Sequence, residues 1–382
     1  MATTVLGLMS GTSADGVDGV LVQFSGAPSK PHWRLLASAH HPYPIELRER
    51  LIAAGQGTAL PARDWLELED AVSAAQLDCA RLTDPAGKAS LVGCHGQTIW
   101  HRPPEPNRLG ASWQMLNGCL LAEQLQIPVV CQFRSADLAR GGQGAPLVPI
   151  TDRALLPAIG GWRALLNLGG IANITLLPPA QGPDRTAAVR GWDCGPANTL
   201  LDLAVQRFSG GQLQYDADGA WAAQGTVRED LVQRWLQEPY LQKIPPKSTG
   251  RELFGSQDLK QRLLELEATQ SPGQVLNHAD ALATLTAFSA AAVAADLERG
   301  PRALELLVAG GGCRNQTLMT ELQRRCRGLW VRPLNEVGIP TQDREALAFA
   351  LLAWWHSRSL PAGQPQITGA SRPGLLGVLI RP

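Results

Sequence analysis

The stretch Gly7-Leu-Met-Ser-Gly-Thr-Ser-Ala-Asp-Gly-Val-Asp-Gly-Val-Leu-Val22 decides the fold of this 382-residue chain. An apolar strand, residues 4–8, enters a turn rich in Gly, Ser and Thr, and the chain returns as a second strand, residues 19–24. Successive backbone N–H groups in such a turn bind anions. Asp15 and Asp18 lie beside it, and Mg²⁺ binds through one or two carboxylates plus substrate phosphates. The turn predicts a nucleoside triphosphate and Mg²⁺ site, with a plain polar hairpin turn as the alternative.

This turn differs from the two common nucleotide-binding motifs. A Walker loop needs Gly-Lys-Ser/Thr at the start of a helix, whereas Lys247-Ser248-Thr249 follows prolines. A dinucleotide fingerprint needs a helix after its glycines, whereas here a strand follows. A phosphate-binding hairpin between antiparallel strands resembles the pattern of the superfamily that joins sugar kinases, actin and the heat-shock chaperone ATPases.

The bulk composition describes an ordinary globular chain, for which its length favours two domains. Apolar residues make up 45% of the chain, and 34 basic residues balance 34 acidic ones. This balance argues against a nucleic-acid or anionic-membrane partner, since either would favour a basic excess. We expect no apolar run long enough to span a bilayer. The start, residues 1–4, lacks a basic signal-peptide region, which predicts a cytoplasmic location.

The cysteines and histidines show no metal-ligand spacing. Seven cysteines are scattered without a C-x-x-C pair, which favours buried free thiols over zinc or a disulfide framework. His40 and His41 are adjacent and precede Pro42, which predicts a loop.

A second strand–turn–strand unit follows the logic of the first. Residues 164–168 form an apolar strand, Gly169-Gly170 a turn, and residues 174–177 a second strand. Two such turns, one per half of the chain, are what a duplicated fold that clamps ATP between two domains needs. The remaining pattern predicts helices over 62–83, 117–126, 198–208, 277–298 and 343–356, strands over 90–94, 128–131, 188–193 and 304–308, and a glycine-dense loop over 132–146.

Asp193 ends a predicted strand, and a carboxylate there suits a base that deprotonates a nucleophile. The alternative is an aspartate that only caps a turn, and Asn198 is a plausible N-cap of the next helix. Another predicted strand is followed by Gly310, Gly311 and Gly312. Three glycines either let the backbone approach the adenosine of a nucleotide closely or form a tight turn.

Polar residues after the strand 90–94 suit recognition of a sugar. His95, Gln97 and Thr98 are candidates for hydroxyl and carboxylate contacts, with a histidine satisfied in a turn as the alternative. Arg134 either holds a substrate carboxylate or pairs with Asp137 at the surface. Taken without the other motifs, residues 245–252 are interpreted as a solvent-exposed loop that connects two elements.

Taken in order, these motifs resemble the anhydro-N-acetylmuramic acid kinase family over nearly the whole chain. They are Gly7–Asp18, His95-Gly-Gln-Thr98, Gly141-Gly-Gln-Gly-Ala-Pro-Leu-Val-Pro149, Asn167-Leu-Gly-Gly-Ile-Ala-Asn-Ile-Thr175, Asp193-Cys-Gly-Pro-Ala-Asn198, Pro245-Pro-Lys-Ser-Thr-Gly-Arg-Glu252 and Gly310–Gly312. The first, third and sixth are highly specific; the glycine triplet is not.

The resemblance implies an α/β fold of two actin-like (ribonuclease H-like) domains with ATP and substrate in a cleft between them. The expected boundaries are 1–131 plus 345–382 for the first domain and 132–344 for the second. The substrate would be 1,6-anhydro-N-acetylmuramic acid from cell-wall turnover, and the product N-acetylmuramic acid 6-phosphate. ATP and Mg²⁺ are the implied cofactors, and a homodimer is the expected assembly.

The resemblance also implies roles for individual residues. Asp193 would activate water for attack on the anomeric carbon, and Glu345 would be a second carboxylate near the sugar. His95, Gln97, Thr98, Arg134 and Asp137 would contact the substrate. The nucleotide would contact Gly11, Thr12, Ser13, Ala14, Asp15, Gly16, Val17, Asp18, Gly169, Gly170, Asn173, Gly310, Gly311 and Gly312.

The chain departs from the family pattern beside the base. Cys194 stands where Thr is usual and Ala197 where Gly is usual, and the loss of a hydroxyl that bonds phosphate would affect rate more than reaction type. Three alternatives remain: a kinase for another sugar, a nucleotide-dependent sensor with a dead site, and an ATPase machine of the actin or chaperone type.

Overall fold

The computed structural model describes residues 2–11, 13–245, 247–250, 252–271 and 273–382. It contains two compact units, one made of Met1–Pro157 with Gln342–Pro382 and the other of Ala158–Thr341. The first expected domain boundary therefore moves from residue 131 to residue 157, and the second from 344 to 341.

The helices and strands alternate along the chain in the order that an α/β fold requires. The first unit contains β1 (Thr3–Ser10), β2 (Gly16–Ala27), β3 (Lys30–Pro42), α1 (Ile45–Gly55), α2 (Ala62–Thr83), β4 (Leu91–Arg102), β5 (Ala111–Met115), α3 (Gly118–Leu125), β6 (Val129–Cys131), α4 (Phe133–Leu138) and α5 (Val148–Leu155). The second contains β7 (Trp162–Leu168), β8 (Ile171–Leu177), β9 (Arg190–Pro196), α6 (Asn198–Phe208), α7 (Glu229–Trp235), α8 (Pro239–Gln242), α9 (Ser256–Glu267), α10 (His278–Glu298), β10 (Ala303–Ala309), α11 (Gln316–Arg325) and β11 (Trp330–Pro333). The first unit ends with α12 (Arg344–Ser357), α13 (Pro365–Thr368) and β12 (Val378–Ile380).

The two units share one sheet topology. The first sheet has the order β12-β6-β4-β1-β2-β3, with β5 beside β4, and the second has the order β11-β10-β7-β8-β9. In each, three consecutive strands form an antiparallel meander, and two later strands lie parallel to the first of them. Parallel neighbours need a crossover, and helices supply it. This repeated order confirms the predicted α/β fold of two actin-like units.

Helix α12 returns to the first unit and lies directly on β1 and β4. Two glycines make this contact possible, because a Cβ on Gly7 would lie 2.2 Å from the carbonyl oxygen of Ala346, and one on Gly93 would lie 2.3 Å from that of Phe349. The helix backbone thus touches the sheet, and this fixes the place of Glu345 in the first turn of α12.

Residues 132–157 belong to the first unit because buried polar contacts tie them to it. The Asp152 carboxylate accepts two hydrogen bonds from Arg344, at 3.0 and 2.6 Å. The Asp137 carboxylate accepts from the Gly144 amide and the Thr368 hydroxyl, both at 2.8 Å. The predicted loop over 132–146 also contains α4, whose six residues are too few to show a helical period.

Helix α10 forms the core of the second unit. It is long and apolar enough to cross a bilayer by length and composition, which corrects the expectation that no such run exists. Within the unit, 83% of its apolar window is buried. Its small residues Ala290 and Val293 pack towards the sheet, and Leu282, Leu285 and Phe288 pack towards the other helices.

Two further sequence expectations have clear outcomes. All seven cysteines are free, and five of them are buried as predicted, whereas Cys119 is exposed and Cys313 is partly exposed. His40 and His41 do not lie in a loop: both belong to β3, and His40 is paired in register with Asp18 of β2.

Candidate active site

The β1–β2 turn is a hairpin that a neighbouring strand braces. The Ser10 hydroxyl lies 2.8 Å from the Gly16 carbonyl oxygen and 2.6 Å from Oε1 of Gln97. The Gln97 amide nitrogen donates to the Gly11 carbonyl at 3.0 Å, and the Ala14 amide donates to the same carbonyl at 3.1 Å. Gln97 therefore cross-links the turn to β4, which holds the predicted phosphate loop in one shape.

This role corrects the prediction that Gln97 contacts the substrate. Its side chain is buried and makes the turn contacts described above. The sequence predicts that residues 95–98 follow the end of a strand, but β4 continues through them, since β5 pairs with Gln97 and Thr98. Gly96 at φ +77° gives the local irregularity that turns the Gln97 side chain towards β1. Thr98 accepts from the Gln114 amide at 3.3 Å and stays partly exposed.

The two carboxylates of the turn differ in their surroundings. Asp15 is exposed and accepts from the Ser13 hydroxyl at 3.0 Å. Asp18 lies opposite His40, with Nδ1 to Oδ1 at 2.7 Å. Burial raises the pKa of the Asp18 carboxyl, and His40 partly offsets this rise.

Within the predicted nucleotide loop, the side chains of Ala14 and Val17 belong to the hydrophobic core. These two residues therefore offer only backbone to a ligand, and Thr12 lies outside the described residues.

His95, Arg134 and Glu345 form one electrostatic cluster in the first unit. His95 Nδ1 lies 2.7 Å from the Gly96 carbonyl, and Nε2 accepts from Nε of Arg134 at 3.0 Å. This pattern requires a neutral imidazole protonated at Nδ1. Burial, together with the charge of Arg134, lowers the pKa of His95 to about 3. Burial raises the pKa of Glu345, and the Arg344 and Arg134 guanidinium groups partly offset that rise.

Arg134 is oriented by contacts with His95 and Gly144, and not by the predicted pairing with Asp137. Its Nη1 donates to the Gly144 carbonyl at 2.9 Å, and its Nε donates to His95. Asp137 is fully buried, and its oxygens accept from Gly144 and Thr368. The prediction that Asp137 contacts the substrate is therefore wrong, because a carboxylate at 0% exposure cannot reach a bound sugar.

The side chain of Asp193 is held by three donors in the second unit. Asn173, its cross-strand partner on β8, donates from Nδ2 to Oδ1 at 2.8 Å. The Ser248 hydroxyl at 2.8 Å and the Thr249 amide at 3.0 Å donate to Oδ2. A carboxylate has about four lone-pair sites, so Oδ1 keeps room for one further donor such as water. Asp193 is partly exposed, as a base must be to meet a nucleophile.

The segment around Lys247 is not the solvated connection that its composition suggests. The Lys247 side chain is buried, and the two residues after it contact Asp193. The Tyr240 hydroxyl also donates to the Asp193 carbonyl at 2.8 Å. Sequence reasoning from composition missed these contacts, since Lys and Ser in a proline-rich segment are typical of surface loops.

The Gly169-Gly170 turn is attached to the start of α6. The amides of Ala197 and Thr199 donate to the Gly170 carbonyl at 2.9 and 3.0 Å. The Asn198 side chain donates to the Gly169 carbonyl at 2.7 Å, so this residue fixes the turn and is not the predicted N-cap.

The glycine triplet lies against the same turn. Gly310 has φ +85°, and a Cβ there would lie 2.7 Å from the Leu168 carbonyl oxygen. A Cβ on Gly312 would lie 2.6 Å from the Leu168 side chain, whereas Gly311 is exposed with open space around it. Gly310 and Gly312 are thus required by packing, and Gly311 offers exposed backbone. Asn315 caps α11 by accepting from the Leu318 amide at 2.9 Å.

Cys194 cannot affect phosphate binding in the way the sequence suggests. It follows Asp193 on β9 and, because side chains alternate along a strand, points to the opposite face. The residue is fully buried, and burial beside Asp296 raises the pKa of its thiol. The missing hydroxyl therefore changes the packing beneath Asp193, in the interior of the second unit.

Comparison with known proteins gives the family. The sequence model described as anhydro-N-acetylmuramic acid kinase matches residues 3–382. The chain belongs to the anhydro-N-acetylmuramic acid kinase family. Relatives that carry this name include one from Synechococcus sp. strain CC9902 at 59% identity and one from Prochlorococcus marinus strain MIT 9211 at 49%, each with 99% of both chains covered. A ROK family glucokinase from Streptomyces griseus, solved with glucose and AMPPNP, aligns with 92% of this chain and 99% of its own at 16% identity and a TM-score of 0.37.

The two carboxylates at the predicted phosphate turn of this anhydro-N-acetylmuramic acid kinase family member fit the donor set that Mg²⁺ uses. No group of three or more His, Cys, Asp or Glu side chains that could hold a metal occurs in the part of the chain that the structure describes. Mg²⁺ needs no such group, since it binds through one or two carboxylates together with waters and substrate phosphates. Asp15 and Asp18 supply that number of carboxylates at the predicted phosphate turn.

Proposed function

We propose that this protein uses ATP to convert 1,6-anhydro-N-acetylmuramic acid into N-acetylmuramic acid 6-phosphate during recycling of cell-wall peptidoglycan. Membership of the family over residues 3–382 supports the reaction. The observation that carries the catalytic assignment is the Asp193 carboxylate, partly exposed at the end of β9 and fixed by Asn173, Ser248 and Thr249.

In the proposed reaction, Asp193 takes a proton from water while the water oxygen attacks the anomeric carbon. The bond from that carbon to O6 breaks, and O6 becomes the nucleophile for the γ-phosphorus of ATP. The bond from that phosphorus to the bridging oxygen then breaks, and ADP leaves. A positioned base contributes roughly 10²–10⁴-fold to such a step. The three donors fix the direction of the Asp193 lone pairs, which is the geometric requirement for this transfer.

The β1–β2 turn is the proposed phosphate site. Backbone from Gly11 to Asp18 would face the phosphates, and Asp15 and Asp18 would hold Mg²⁺, which neutralises phosphate charge as the γ-phosphoryl group transfers. The Gln97 brace keeps the turn in shape without ligand. In the second unit, Gly169, Gly170 and the exposed backbone of Gly311 are the proposed nucleotide contacts, whereas Asn173 is assigned to the base.

Arg134 is the proposed ligand of the substrate carboxylate. His95 and Gly144 fix two of its donors, which leaves the rest of the guanidinium group for an anion. Glu345, whose pKa burial raises, is proposed as the second carboxylate near the sugar, and Thr98 as a hydroxyl contact.

We further propose that the protein acts in the cytoplasm as a homodimer. The free cysteines are typical of a reducing compartment, and the dimer follows from the family resemblance. A kinase for another sugar is the second candidate, because Asp193 and the phosphate turn do not themselves specify the acceptor.

The catalytic assignment is tested by Asp193→Asn, with Asp218→Asn as the matched control. Asp218 is exposed in the same unit at φ +55°, a conformation that asparagine tolerates. We expect Asp193→Asn to bind ATP like the wild type and to lose at least about 10²-fold in turnover, and Asp218→Asn to retain turnover. Equal turnover of both variants would remove Asp193 as the base. Turnover on a different sugar only would support the second candidate.

A further inference from the structure

The segment Lys247-Ser248-Thr249 links the catalytic strand β9 to the core helix α10. The Asp193 amide donates to the Lys247 carbonyl at 3.1 Å, so the segment pairs with β9 at the base itself. From there the Lys247 side chain enters the interior, while Ser248 and Thr249 donate to the Asp193 carboxylate. Lys247 thus anchors the segment in the interior, and the two residues after it contact the proposed base.

The anchor is a buried ion pair. Nζ of Lys247 lies 2.9 Å from Oδ2 and 3.0 Å from Oδ1 of Asp296, with the two side chains 2% and 1% exposed. Asp296 also accepts from Nε1 of Trp192 at 3.0 Å and from Nη1 of Arg299 at 3.1 Å. Lysine is rarely buried to this extent, and desolvation cancels much of the attraction in such a pair. This ion pair therefore contributes little net stability to the folded protein.

Two neighbouring residues of β9 contact this segment and its anchor. Trp192 bonds to Asp296, and Asp193 bonds to Ser248 and Thr249. Tyr240 closes the arrangement, since its hydroxyl bonds the Asp193 carbonyl and its ring centroid lies 5.0 Å from Nζ of Lys247. Asp296 therefore fixes both the strand that carries the base and the segment that orients it.

We infer that Lys247 is a positioning residue for the reaction: its ammonium group, anchored on Asp296, places the Ser248 hydroxyl and the Thr249 amide against Asp193. The inference rests on the proposed role of Asp193 as base. Without the ammonium group, the segment loses its interior anchor, and two of the three donors to the carboxylate move. Displacement of about 1 Å at a reacting group can cost about 10²-fold in rate.

The test is Lys247→Met, which keeps most of the aliphatic stem and removes the charge. We expect kcat to fall by roughly 10- to 100-fold with the KM for ATP within about twofold of the wild type. Arg163→Met is the matched control, because Arg163 forms a similarly buried pair with Glu305 at 2.5 Å in the same unit, on strands β7 and β10. That control is expected to lose stability and retain kcat.

A double-mutant cycle separates positioning from general damage. If Lys247 acts through Asp193, then Lys247→Met should cause no further loss of the residual turnover of Asp193→Asn. The same fold-loss on both backgrounds, or no loss on the wild-type background, would overturn the inference. Full turnover of Asp193→Asn alone would overturn the base assignment beneath it. If Lys247→Met does not fold, Asp296→Asn replaces it in the same cycle with the same expected outcomes.

Discussion

Replacing His95 by Gln should remove a pH dependence from the stability of the first unit. In the folded state, burial and the charge of Arg134 lower the pKa of His95 from 6.5 to about 3. Unfolding exposes the imidazole. Between pH 6.5 and about 3, the imidazole is therefore protonated in the unfolded chain and neutral in the folded chain. Stability contributed by the neutral imidazole is therefore complete above pH 6.5 and is lost as the pH falls towards 3.

The magnitude follows from these two values. Between them the free energy of unfolding falls by about 1.4 kcal/mol per pH unit at most, which gives a loss of roughly 2–3 kcal/mol between pH 7 and pH 4.5. Because His95 is only 2% exposed, solvent does little to screen the effect. Glutamine stays neutral throughout and keeps an acceptor for Arg134, so the other titrating groups cancel in the comparison.

The assay is urea denaturation of the wild type and His95→Gln at pH 7 and pH 4.5. The wild type should lose roughly 2–3 kcal/mol more than the variant in free energy of unfolding on acidification. His32→Gln, at an exposed position, controls for the exchange of side chains. Equal losses for the wild type and His95→Gln would refute the neutral, buried imidazole, and with it the positioning of Arg134 by His95.

Three further predictions concern the first unit. Gly93→Ala should destabilise the protein by about 1–3 kcal/mol or more, measured by chemical denaturation, because its Cβ would meet the Phe349 carbonyl and backbone cannot yield cheaply; a neutral effect would contradict the close contact of α12 with β4. Asp152→Asn should cost about 3–5 kcal/mol by the same assay, since it leaves Arg344 buried without its ion pair, and unchanged stability would show that this pair is not buried. Asp18→Asn should raise the Mg²⁺ concentration needed for half-maximal turnover, and an unchanged requirement would remove Asp18 as a metal ligand.

Local elements with strong patterns were predictable from the sequence. The helices over 62–83 and 198–208 coincide with α2 and α6, since each shows a clear apolar period over at least eleven residues. Both glycine turns lie between antiparallel strands as predicted, because Gly, Ser and apolar runs punctuate the chain there.

Contacts that depend on distant segments were not predictable in the same way. His40 has the local signature of a loop, and only its register against Asp18 on β2 places it in a strand. Gln97 and Asp137 carry polar groups that suit a ligand, yet their partners are backbone and hydroxyl groups of the protein. The burial of Lys247 was likewise not predictable, since no feature of the neighbouring sequence indicates that it pairs with Asp296.

The most direct test of the central claim is a mass spectrum of the products formed from 1,6-anhydro-N-acetylmuramic acid, ATP and Mg²⁺ in ¹⁸O water, after a short reaction. Water attack at the anomeric carbon predicts a phosphorylated sugar with one ¹⁸O at that carbon and none in the phosphoryl group. A phosphorylated sugar without the label, or ADP without phosphorylated sugar, would contradict the account.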